Sequence, residues 1–304
     1  MRRATLSALA ALACGVAEGR SAPETTVFRL SSEAALTNAI ALRIGAQLPL
    51  LGPAEELRLG AAQEALRKVG VGFLRWPSGC GWYNWYDGVG PRRTRRLAGA
   101  GADTNGFGTA EYVAFCAAVG AEPLIRAPVA LPGRAAPEAV AEGAELAADW
   151  VSYCNATNDS PLAALRRRHG LPEALRVRFW EADAFDEGTN APASVAGACR
   201  AYVASMRGAD PSVVLGVRVA RVETAREVLA QAGGSIDYLA CGAPGVREAV
   251  RAFNRERGRR VAWSDAPRIG VTNFFVDPSP GVSPLDLLGS VSRGLYAAVL
   301  LERP

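Results

Sequence analysis

Residues 213–257 read VVLGVRVARVETAREVLAQAGGSIDYLACGAPGVREAVRAFNRER, and the fold class is decided there. Val213–Val219 is a short apolar run of strand length, and Val222–Ala232 carries helical periodicity. Ile236–Ala240 is a second apolar run, followed by a second helical stretch at Val246–Arg257 with Gly258 placed to terminate it. Strands that alternate with helices of this length pair in parallel, because a parallel connection needs a crossover.

The same alternation extends outward in both directions. Upstream, Ala39–Ala46, Val71–Arg75, Leu124–Ala127 and Val177–Trp180 read as strands. The helices between them are predicted at Pro53–Val69, Thr109–Val119, Pro137–Cys154 and Ala193–Met206. The first has Leu57, Ala61, Ala62, Ala65, Leu66 and Val69 on one face, and Thr109 is placed to cap the second. Pro77, Ser78 and Gly79 close the second strand. Downstream, Val261–Trp263 is a seventh strand and Pro284–Glu302 a last helix. Seven β-then-α units predict an α/β protein, a (β/α)8 TIM-type barrel, with an open doubly wound sheet as the alternative. The count stops short of an eighth strand after residue 39. Thr26–Leu30, in the extended segment 23–38, is the candidate to fill the gap or to lie outside as an edge strand. The barrel is therefore expected to be incomplete, its first and seventh strands not pairing normally.

Residues 1–22 read as a signal peptide: Arg2 and Arg3, then an apolar stretch from Ala4 to Ala17, then small residues around Ser21 and Ala22. This predicts a secreted or extracytoplasmic protein, with an organellar presequence as the alternative. The stretch is short for a membrane span of about 20 residues, so no membrane association beyond a lipid anchor is expected. Residues 39–304 are expected to form the barrel domain.

The chain has 304 residues, 49% of them hydrophobic, which is enough for a large core. Its formal net charge of +4 is too small an excess for nucleic acid to be the main partner. Its six cysteines, Cys14, Cys80, Cys116, Cys154, Cys199 and Cys241, form no CxxC pair and read as small buried hydrophobes. The one histidine, His169, ends the basic run Arg166-Arg167-Arg168 before Gly170, which reads as a helix end. No phosphate-binding or dinucleotide fingerprint occurs, and neither cofactor nor metal is expected. Asn155-Ala156-Thr157 and Asn158-Asp159-Ser160 are acceptor sequons, with a structural role preferred for Asn155.

A succession of motifs carries a family resemblance. Leu74-Arg75-Trp76-Pro77-Ser78-Gly79-Cys80 leads to Trp85-Tyr86-Asp87-Gly88-Val89-Gly90-Pro91. Phe107-Gly108-Thr109-Ala110-Glu111-Tyr112 follows, then Ala148-Asp149-Trp150-Val151-Ser152-Tyr153-Cys154-Asn155. His169-Gly170 and Val177-Arg178-Phe179-Trp180-Glu181 complete the series. In order and spacing, over roughly residues 70–190, it resembles glycoside hydrolase family 51, the α-L-arabinofuranosidase type. The resemblance implies a TIM barrel with a C-terminal β-sandwich, the latter expected to be missing here along with the last strand, and a retaining mechanism. Retention needs two carboxyl groups about 5–5.5 Å apart.

Those carboxyl groups are where the resemblance fails. The family's acid/base Glu and the Asn before it align with Phe185 and Ala184. The nucleophile aligns with Asp265, one methylene shorter than Glu, with Ser264 as the other candidate. The family's sugar-binding Asn on the third strand aligns within Ile125-Arg126-Ala127-Pro128, and its His-x-Tyr aligns with Gly242 and Pro244. Glu181 matches a family Glu and is expected to be structural. Glu187 is the one candidate for a substitute acid/base. Trp76, Trp85, Asp87, Trp180 and Trp263 are the expected substrate contacts, and Phe185 is expected in the barrel mouth near Trp263 and the loop carrying Trp76 and Trp85. The function expected is a secreted arabinofuranosidase homologue without catalysis, kept for carbohydrate binding or for assembly. An active retaining glycosidase with relocated carboxylates is the alternative. Expected partners are a glycan and a protein covering the open barrel edge.

Overall fold

The computed structural model describes residues 45–49, 59–69, 71–78, 83–95, 105–131, 137–184, 190–241, 243, 245–258 and 261–264. All belong to one compact unit, Arg43–Pro304. The signal peptide expected at residues 1–22, the extended segment expected at Thr26–Leu30, residues 39–44 and 53–58, and the helix expected at Pro284–Glu302 lie outside the described residues.

The strands are β1 Gly45–Pro49, β2 Phe73–Ser78, β3 Glu122–Pro128, β4 Phe179–Ala184, β5 Val214–Val219, β6 Tyr238–Ala240 and β7 Ala262–Ser264. The helices are α1 Leu59–Val69, α2 Thr109–Val119, α3 Pro137–Asn155, α4 Pro161–Arg168, α5 Pro192–Ala209, α6 Val222–Ala232 and α7 Val246–Arg257. Every strand pairs in parallel with the next in sequence, in the order β1 to β7. Among the described residues β1 and β7 are the two ends of the sheet. This is the consecutive order of a (β/α) barrel and not the reversing order of a doubly wound sheet. No helix among the described residues is long and apolar enough to cross a membrane.

Strand alternation divides the side chains into two faces. Leu74 and Trp76 on β2, Ile125 and Ala127 on β3, Trp180, Ala182 and Ala184 on β4, and Leu215, Val217 and Val219 on β5 are all buried. They share one face through the pairings Trp76↔Ile125, Ile125↔Trp180 and Trp180↔Leu215. That face meets the helices. Trp76 stacks on Tyr112 of α2 at 5.0 Å between ring centroids, and Trp180 meets Trp150 of α3 edge-on at 5.8 Å. The opposite face lines the barrel interior.

Several element boundaries differ from the sequence expectation for identifiable reasons. β4 begins at Phe179, not Val177, because the Asn155 side chain takes both backbone groups of Val177. It accepts from the N–H at 2.8 Å and donates to the C=O at 2.9 Å. β4 then runs on to Ala184, through two carboxylates that are neutralised inside the barrel. β2 continues through the cis Trp76–Pro77 bond to Ser78, which pairs with Pro49. The cap of α2 is Gly108, not Thr109: Glu111 reaches back to the Gly108 N–H at 3.0 Å, while Thr109 Oγ accepts from Trp150 Nε1 at 3.0 Å. The expected terminators Gly170 and Gly258 both lie in the left-handed region, at φ 84° and 61°. Cys116, Cys154, Cys199 and Cys241 are buried free thiols, as expected of small apolar residues.

Candidate active site

The C-terminal ends of barrel strands are where reactive groups gather in this architecture. On β4, alternation turns Glu181 and Asp183 into the interior, with Trp180, Ala182 and Ala184 on the helix side. Register brings Arg126 of β3 level with Glu181, and Arg218 of β5 level with Asp183. Arg75 enters from β2 and Tyr238 from β6.

These groups form one ionic cluster. Arg75 Nε donates to Glu181 Oε1 at 2.8 Å, and Arg75 Nη2 donates to both Glu181 and Asp183. Arg126 Nε donates to Asp183 Oδ2, and its Nη1 to the Pro77 carbonyl at 3.1 Å. Arg218 Nη1 lies 3.3 Å from each Asp183 oxygen. Tyr238 donates its hydroxyl towards Glu181 Oε2 at 3.4 Å. Room for that ring comes from Gly216: a β-carbon there would sit 2.0 Å from Tyr238 Cζ. The Asp183 side chain is 0% exposed, Arg126 8% and Arg218 11%. The carboxylate is therefore at the bottom and two guanidinium groups are nearer the mouth.

Burial acts to raise the pKa of Asp183, but Arg126, Arg75 and Arg218 together hold it well below the usual carboxylate range. Burial, and then Glu181, push the Tyr238 phenol well above its ordinary value. A carboxylate pinned ionised by three arginines cannot deliver a proton to a leaving group, and a phenol held protonated cannot serve as base. Glu181 is bound to Arg75 as a structural partner, as the resemblance implied.

The other expected site residues are distributed differently. Phe185, Glu187 and Asp265 lie outside the described residues, as does the side chain of Trp263. Ala184 is buried among core residues on the helix side of β4. Trp76, Trp85 and Trp180 are each 0% exposed and present no surface to a ligand. The expectation that they contact substrate is corrected accordingly. Trp76 and Trp180 face the helices by strand alternation. The loop after β2 folds down onto α3, where Trp85 Nε1 donates to the Leu146 carbonyl at 2.8 Å and the ring lies against Trp150 and Tyr153. Aromatic rings wedged between strands and helices bury large apolar area. Asp87 sits half-buried in the 3-10 turn Trp85–Gly88 of that loop. Tyr83, Trp85, Ala127, Trp150 and Tyr202 line a narrow crevice there, with room for about one water molecule.

Sequence reasoning missed the cluster of Arg126, Asp183 and Arg218. A signal was present: β2, β3, β4 and β5 each carry a charge inside an otherwise apolar run. A charge inside a buried parallel strand must find a partner, and the partners lie on adjacent strands.

Residues 65–240 match the family model described as Alpha-L-arabinofuranosidase 1 domain. Alpha-L-arabinofuranosidase C of Emericella nidulans is 38% identical over 123 residues, which is 38% of this chain and 22% of that protein. An intracellular exo-alpha-L-arabinofuranosidase of Bacteroides ovatus is 34% identical over 122 residues, again 22% of its length. The match thus spans about a fifth of these curated relatives. Among solved structures, the GH51 alpha-L-arabinofuranosidase of Thermotoga petrophila is similar with a TM-score of 0.59 and 26% identity. The similarity covers 73% of this chain and 55% of that one. The Thermotoga maritima enzyme in its arabinose complex gives 0.55 and 27%, over 67% and 48%. With the family match extending over more than half of its residues and the same barrel order in its strands, the chain belongs to the alpha-L-arabinofuranosidase 1 domain family, on a partial (β/α) barrel of the GH51 type.

Proposed function

We propose that this protein is an arabinofuranosidase homologue that does not hydrolyse glycosides and that retains the barrel for carbohydrate binding. The observation that carries the reading is the end of β4. The carboxylates that β4 turns inward, Glu181 and Asp183, are both buried and bound to arginine. The strand then leads through Ala184 to Phe185, at the positions of the family's Asn and acid/base Glu. Alanine and phenylalanine supply neither a proton nor a hydrogen bond to a sugar hydroxyl. The leader at residues 1–22 supports a location outside the cytoplasm.

The test is hydrolysis of an aryl α-L-arabinofuranoside by the full chain. No turnover above background is expected, because loss of one member of a catalytic pair removes most of the rate. The competing reading is an active retaining glycosidase that uses Glu187 and Asp265. It would be established by turnover that disappears in Glu187→Gln or Asp265→Asn, and that outcome overturns the proposal.

A further inference from the structure

Two arginine-bearing segments far apart in sequence, Arg92-Arg93-Thr94-Arg95 and Arg166-Arg167-Arg168-His169, come together in the fold. The junction is the contact between Gly90 and the His169 ring, so close that a β-carbon on Gly90 would lie 3.1 Å from Nε2. Tyr153 of α3 fixes the other ring nitrogen, Nδ1, at 3.0 Å from its hydroxyl. The 3-10 turn Arg92–Thr94 follows Gly90 after Pro91, and α4 ends on Arg168. Arg95 Nε donates to the Gly90 carbonyl at 3.0 Å, and Arg168 immediately precedes His169 at the end of α4, so both segments flank the ring.

The fold then sorts the arginines by role. Arg95 turns inward to Glu111 and to the carbonyls of Gly90 and Asn105. Arg166 is 1% exposed and donates to the Tyr153 carbonyl at 2.8 Å. Arg92, Arg93, Arg167 and Arg168 stay on the surface. Arg167 pairs with Asp159 at 3.2 Å, and that carboxylate is exposed. An exposed pair such as Arg167–Asp159 is readily exchanged for another carboxylate. The α4 half of the face lies where α4 and the C-terminal end of α3 lead into the start of β4, away from the C-terminal strand ends, and the other half belongs to the loop that follows β2.

We propose that this face binds a carboxylate-bearing polysaccharide, a uronate chain. Guanidinium forks match carboxylates in bidentate geometry, and several on one face match a repeating anion. Nucleic acid fits less well. Tyr86, the large aromatic exposed among the described residues, is tied to Asp149 and so offers no free ring for stacking bases. The choice of a glycan among polyanions rests on the carbohydrate-binding reading above.

The experiment measures binding of the full chain to polygalacturonate, to neutral arabinan and to a double-stranded DNA fragment. It compares the pairs Arg92→Gln/Arg93→Gln and Arg167→Gln/Arg168→Gln with the parent. Polygalacturonate is expected to bind and to be released by added salt, which screens surface charge. Each pair is expected to weaken it about threefold or more, on the scale of two exposed ion contacts, with the melting temperature and arabinan binding unchanged. The proposal is overturned by no binding to polygalacturonate, by variants that bind like the parent, by loss in one pair only, or by equal or tighter binding to DNA. The hydrolysis assay reads carboxyl groups at the strand ends, which this face does not include, so turnover there overturns the non-catalytic reading while leaving this result standing.

Discussion

At the scale of single residues, Asp183 carries the most consequence. Its carboxylate is fully buried and neutralised by guanidinium groups from three different strands. Asp183→Asn keeps the shape but leaves the arginines facing one another without the charge that gathers them. Breaking a buried ionic contact on one side costs about 3–5 kcal/mol, and urea unfolding at neutral pH should show a loss of this size. The pH dependence follows from the direction of the shift. The folded pKa is depressed below the unfolded value of about 3.9. The stabilisation is therefore complete above pH of about 4 and declines as pH falls from there towards the folded value. The stability gap between parent and Asp183→Asn should narrow below pH of about 4, and a gap constant down to pH of about 2 would show that the charge is not the source.

At the scale of elements, the decisive piece is the loop between β2 and α2, which the family resemblance led us to expect at the barrel mouth. It is instead latched to the outside of the barrel by Arg95. That side chain is 2% exposed and holds Gly90, Asn105, Gly106 and Glu111 at once. Arg95→Ala should destabilise the protein by about 3 kcal/mol, the low end for a buried pair because Glu111 keeps partial solvent contact. Limited proteolysis should then cut within residues 83–95 or 105–108 before any other described segment. Arg95→Lys should fall between the two, since a lysine supplies the charge without the planar fork. Proteolysis patterns identical in parent and Arg95→Ala would mean that the aromatic contacts of Trp85 hold the loop without the latch.

At the scale of the whole molecule, the test is to restore the family's residue types and follow stability and turnover together. The triple variant Ala184→Asn, Phe185→Glu and Asp265→Glu restores the family's residue types at three positions. Ala184 is 0% exposed within the apolar core, so an amide there would be buried without an arranged partner, at about 1–3 kcal/mol. The Asp183 cluster still occupies the interior next to it. We expect a lower melting temperature and no efficient hydrolysis of aryl arabinofuranoside. An unchanged melting temperature together with clear turnover would show that those three positions alone separate this protein from its hydrolytic relatives.

The sequence by itself determined the barrel order and the family. Apolar runs of strand length alternate with helical periodicity, and that pattern is local, so Val222–Ala232 and Val246–Arg257 were read to the residue. The family motifs are contiguous and equally legible. The tertiary structure decided where the side chains point and what neutralises what. The three tryptophans taken for a sugar platform became the packing between sheet and helices, because strand parity and the fall of a loop set their direction. The charges on β2 to β5 became one cluster, because register between strands, which no single strand encodes, brings Arg75, Arg126, Asp183 and Arg218 to the same place. Residue chemistry is written along the chain, whereas the pairing of buried charges is a property of strands side by side.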